Sequence, residues 1–179
     1  RSHDIPLELL TPSLSQMIYA LKLPSTHGYE EIKTAINLFS AGLKGLTKEV
    51  IEKLKKLQPD ALVTDFAFFA SHIAAEVLEI PCVVIFHSGL PFKGPSIPPF
   101  GSGLPIDENA SQAKTAIQEE EKVLTKLGDK IQRVRHKYDL PPATSALLRQ
   151  PYSHWLNLIT SHESIEAPRD NLGDHTFFI

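Results

Sequence analysis

Three groups of polar residues stand directly after short apolar runs. Asp65 follows Ala61–Thr64; His87, Ser88 and Gly89 follow Cys82–Phe86; Ser161, His162 and Glu163 follow the WLNLIT run of 155–160. The first two runs, launched by Pro59-Asp60 and Ile80-Pro81, have the length and β-rich content of strands. Between them Ala67–Glu79 carries alanines and large apolar residues on several sides, as a helix packed on a sheet does. Strand, helix and strand in that order make a parallel βαβ unit with a right-handed crossover. Ligands of open parallel sheets bind beyond the carboxyl ends of the strands. Asp65 and the His87-Ser88-Gly89 turn are therefore the first candidate site.

Each of these residues also has a plainer reading. A carboxylate one step past a strand caps the next helix as readily as it does chemistry, here a helix starting at Ala67. A single histidine at a strand end is commonly structural. Phe66, Phe68 and Phe69 read as core, although Phe66 beside Asp65 can also wall a pocket. His72 and Glu76 are four apart on one helix, but no third metal ligand accompanies them and they read as an ordinary helical pair. No Gly-x-Gly-x-x-Gly follows a strand, no phosphate-loop Gly-Lys-Ser occurs, and no serine nucleophile elbow is present.

The remaining elements frame that unit. Ile32, Ile36, Phe39, Leu43, Leu46, Val50, Leu54 and Leu57 recur at steps of three and four and predict an amphipathic helix over 29–57, with a kink or break at Gly42 or Gly45. A second long helix is expected over 109–138, its inner stripe running through Ala113, Ile117, Leu124, Leu127, Ile131, Val134 and Tyr138, with Asp107 or Asn109 as cap. Short helices are expected at 13–23 and 144–150. Residues 87–108 hold five prolines among glycines and form neither helix nor strand. Phe92, Ile97, Phe100 and Leu104 make that stretch an ordered binding loop in preference to a linker. Strands are expected at 155–160 and from Thr176 onward.

A length of 179 residues allows one domain or a piece of a larger one, and a net charge of −3 gives no electrostatic ground for a nucleic-acid partner. The single cysteine, Cys82, rules out an internal disulfide and agrees with a reducing, cytoplasmic setting. No apolar run approaches the ~18 residues of a membrane span. The chain opens on Arg1 and its only methionine is Met17, so a processed or shortened chain is expected.

The run VTDFAFFASHIAAEVLEIPCVVIFHSGLP resembles a segment of the N-terminal domain of family 1 glycosyltransferases. There an Asp, an aromatic-rich helix and an Ile-Pro lead into a strand and a small polar turn with glycine. KGPSIPPFGSGLPI and NLITSHESIEAP are similar to bacterial members that act on lipophilic aglycones, and the closing FFI resembles the strand that precedes the linker to the second domain, so the resemblance runs from about Leu57 onward.

That resemblance implies an α/β fold: a Rossmann-like parallel sheet flanked by helices, part of the N-terminal domain of the two-domain GT-B arrangement. It implies an inverting enzyme that moves a sugar from a UDP-sugar to a hydroxyl of a lipophilic small molecule such as a terpenoid, polyketide or phenolic. No metal or other cofactor is expected. In the family a histidine takes the acceptor proton, and a carboxylate fixes its tautomer and stabilises the imidazolium. Asp65 matches that carboxylate. His87, Ser88 and Gly89 match a Thr-Ala-Gly-like turn that contacts the donor sugar, with Ser88 the alternative contact because His is unusual there. Phe66, Phe69 and Phe92 are expected in the acceptor pocket.

Two features depart from the family pattern. The family's histidine follows its first strand, a context that neither His3 nor His27 has, and the C-terminal nucleotide-binding signature is absent. The expectation is one incomplete domain over 1–179, inactive alone and completed by a donor domain in cis or trans. Asp65 would then pair with a histidine outside this chain. A non-catalytic binding module or split subunit of the same fold is the alternative, and a self-contained flavodoxin-like domain a third reading that lacks its phosphate-binding turn.

Overall fold

The structure is a computed structural model that describes residues 9–11, 34, 37–38, 40–87, 90–92, 97–99, 102, 104, 111–143, 153–167, 169 and 172–179. The expected helices at 13–23 and 144–150 lie outside those residues, as do Ser88, Gly89 and Phe100. The described elements are helix α1 (Leu43–Leu57), strand β1 (Leu62–Asp65), helix α2 (Phe69–Leu78), strand β2 (Cys82–Phe86), helix α3 (Ser111–Lys137), and strands β3 (Leu156–Ile159) and β4 (Thr176–Phe178).

The helical stripe predicted over 29–57 breaks at the first of its two glycines. Gly42 takes the left-handed conformation at φ 72°, and α1 starts at the next residue. Glycine tolerates that conformation because it has no Cβ to clash. Gly45 stays inside the helix. Leu43, Leu46, Val50, Ile51 and Leu54 form the buried side of α1, and the amide of left-handed Gln58 closes the helix on Leu54 O. Pro59 cannot continue a helix, so the chain turns into β1.

The four strands form one all-parallel sheet in the order β1-β2-β3-β4. Because each strand adds on the same side of the last, right-handed crossovers lay their helices on a single face. The packing agrees: Phe69, Ala70, Ile73 and Ala74 of α2 share one core with Leu127, Ile131 and Val134 of α3 and the inner side of α1. Cys82, Val84 and Phe86 of β2 and Ile159 of β3 form a second core with Ala75, Leu90 and Phe92. Each large side chain fully buried there contributes about 1.5–3 kcal/mol. On the other face of the sheet Val63 and Phe177 are more than half exposed. The fold is thus an α/β, Rossmann-like sheet with helices packed against it.

Candidate functional site

Asp65 and His87 stand on neighbouring strands. Asp65 is the last residue of β1 and pairs in register with Ile85, two residues before His87. Parallel pairing therefore delivers both side chains to the same edge. His87 Nε2 lies 2.6 Å from Asp65 Oδ2, with the His87 side chain 61% and the Asp65 side chain 35% exposed. A carboxylate only accepts, so Nε2 carries the hydrogen and a neutral His87 presents Nδ1 as its basic nitrogen.

Asp65 is fixed at three points. Its Oδ1 accepts the Ala67 amide hydrogen at 2.7 Å. Its backbone carbonyl accepts from His72 Nε2 at 3.0 Å. Its Oδ2 holds His87. The first bond closes a turn before the helix: α2 starts at Phe69 with Phe68 as its cap residue and no side-chain cap bond. Asp65 thus closes the turn before α2 with one oxygen and holds His87 with the other; the cap expected of it falls to Phe68, because the helix starts at Phe69 and not at Ala67. His72 is buried, and that burial lowers its pKa to about 4, against a smaller opposing effect of its bond to Asp65. It is therefore neutral, and its Nε2–H anchors the backbone beneath the dyad.

Phe66, Phe86 and Phe92 line up behind the pair. Phe66 stacks on Phe86 at 5.4 Å between centroids and lies 5.7 Å from the His87 ring. Phe92 meets Phe86 edge-on at 5.5 Å. Of the three phenylalanines expected in an acceptor pocket, only Phe66 is half-buried and beside the dyad. Phe92 is buried in the second core, and Phe69 is buried in the first core between α1, α2 and α3. Large apolar residues at a helix start and in a proline-rich loop were drawn into packing. The third polar group folds on itself: His162 Nδ1 accepts the Ser164 amide hydrogen at 3.1 Å and bonds its hydroxyl at 2.7 Å.

The structure adds residues that the sequence reading did not single out. Arg169, between β3 and β4, donates to Phe92 O and, at 3.2 Å, to Leu90 O, both in the chain leaving His87. Nothing in local sequence marks this contact, which spans more than seventy residues. Glu76, one half of the weighed metal pair, instead accepts a two-pronged bond from Arg135, one branch at 2.8 Å. Among the described residues no group of three potential ligands surrounds a metal position, and no helix is long and apolar enough to cross a membrane. No known protein family and no curated protein is matched by the chain.

Proposed function

We propose that this chain forms the acceptor side of an inverting glycosyltransferase in which His87 is the general base and Asp65 the carboxylate that orients it. The observation that carries this reading is the 2.6 Å His87–Asp65 contact at the carboxyl edge of a parallel sheet, with the His87 ring largely open. The role differs from the donor-sugar contact expected of His87 and supplies, within this chain, the partner expected from elsewhere. An acceptor hydroxyl gives its proton to Nδ1 while its oxygen bonds to the anomeric carbon of a UDP-sugar, and the nucleotide leaves from the opposite face. Asp65 stabilises the imidazolium as it forms. Phe66, beside the dyad, offers an apolar surface to a lipophilic acceptor.

The test is transfer from a UDP-sugar to a phenolic acceptor by the protein expressed from its complete reading frame. His87→Gln should lower turnover about 10²- to 10⁴-fold, the usual weight of a positioned base. An unchanged rate overturns the assignment. Absence of transfer by the unaltered protein, with retained binding of the phenol in equilibrium dialysis, would favour a non-catalytic module.

A further inference from the structure

The chain that carries His87 away from β2 is held from two sides by different forces. From below, Leu90 and Phe92 are buried at 3% and 5% exposure, with Phe92 against Phe86. Apolar burial is non-directional: it sets the depth of the segment and leaves the orientation of its backbone free. From above, the Arg169 guanidinium donates through Nη1 to Phe92 O and through Nη2 to Leu90 O. A planar fork on two carbonyls does set orientation, which the point charge of a lysine on its flexible stem does not.

The contact is made at a cost. Burial lowers the pKa of Arg169, with Glu166 opposing that change, and among the described residues Nε is buried without a hydrogen-bond partner. Unmatched buried donors are rare enough in folded proteins that each calls for a reason. Here the reason lies with the other two nitrogens. We propose that Arg169 is the positioning residue of this site, holding the Leu90–Phe92 backbone so that His87 stays against the Asp65 carboxylate. The role rests on the reading of His87 as the base. Arg169 touches neither the dyad nor the reacting atoms; it holds backbone that begins three positions after His87 in the chain.

Two substitutions in the complete protein test this, read by kinetics and by the ¹⁵N signal of His87 Nε2 in histidine-labelled protein, assigned with His87→Gln. Arg169→Met keeps the apolar stem and removes the donors. It should lower kcat about 10- to 100-fold with KM within about twofold, the pattern of a displaced group. The hydrogen-bonded His87 Nε2 signal should be lost or averaged. Arg169→Lys, which keeps donors and charge without the fixed fork, should restore part of both. A wild-type Nε2 signal in Arg169→Met overturns the proposal, and so does a loss of KM alone. If His87→Gln proves active, the base reading fails by itself, and the Nε2 signal of Arg169→Met still decides the clamp. If Arg169→Met does not fold, the same signal in Arg169→Lys decides it: wild-type intensity overturns the clamp, and a weakened signal supports it.

Discussion

Two acid–base pairs of similar make-up occupy the two ends of the α2 region, and they are built for opposite purposes. Asp65 and His87 meet at the sheet edge with side chains 35% and 61% exposed. Glu76 and Arg135 meet where α2 crosses α3, and there the arginine side chain is only 5% exposed. The first pair contains an imidazole that bonds the carboxylate through Nε2 and leaves its second ring nitrogen outside that contact. The second contains a guanidinium that spends its donors on Glu76 and on Pro141 O. It fastens two helices and the chain beyond α3, beside a cavity of about 480 Å³ bordered by His72, Cys82 and Trp155. The two carboxylates are alike in exposure, 35% for Asp65 and 34% for Glu76, and the pairs differ in the partner, 61% exposed for His87 and 5% for Arg135.

The largest effect that should break the comparison is on turnover. Asp65→Asn keeps an oxygen for the Ala67 amide and removes the negative charge from His87. Transfer should fall at least about 10²-fold, as expected when a base loses its orienting carboxylate, while the thermal midpoint stays near that of the unaltered protein. Asp65→Ala removes both functions and should lose stability as well, by about 1 kcal/mol for the turn bond. If Asn and Ala behave alike in both assays, the carboxylate is structural and the two pairs do the same job.

For the Glu76–Arg135 pair the expected loss is in stability. Arg135→Met leaves Glu76 without its cation, and urea denaturation should show a loss of roughly 1–3 kcal/mol, below the full cost of breaking a buried pair because the Glu76 side chain is 34% exposed. Glu76→Leu combined with Arg135→Met removes the charges together and should recover most of that loss, since an apolar pair of similar volume is often neutral. A double variant as unstable as the single one would mean that the Pro141 carbonyl, and not Glu76, is the contact that matters.

Much of the site's location was legible because it depends on local rules. Strand, turn and helix signals around 59–89 placed Asp65 and His87 at one edge, and parallel pairing of β1 with β2 made them neighbours. Their direct contact was also within reach of that argument, since residues ending adjacent parallel strands face the same crevice; the family pattern directed attention to a histidine elsewhere. Three features were not legible. Phe92 entered the second core from a proline-rich stretch, where no period marks a buried face; Phe69 did read as core from its residues, and only the resemblance moved it to the pocket. Arg135 was hidden at the margin of the α3 stripe, where its charge argued for solvent. Arg169 depends on two loops far apart in sequence, and no periodicity encodes such a contact.

His72 supplies the smallest and most selective test, because it belongs to the exposed pair by function and to the buried pair by environment. Burial holds its pKa at about 4, below the ordinary 6.5. Between those values the unfolded chain binds a proton that the folded chain refuses, so stability rises with pH across this window. It is undiminished above about pH 6.5, falls as the pH drops, and levels off below about pH 4. The total is roughly 3 kcal/mol, because each tenfold loss of proton affinity on folding is worth about 1.4 kcal/mol. His72→Gln can keep a donor to the Asp65 carbonyl but cannot take up a proton in this range. Urea midpoints at pH 7.5 and 4.5 should therefore differ less for His72→Gln than for the unaltered protein. Equal pH sensitivity in the unaltered and His72→Gln proteins would place the acid-labile group elsewhere and would deny His72 its part in holding the dyad's backbone.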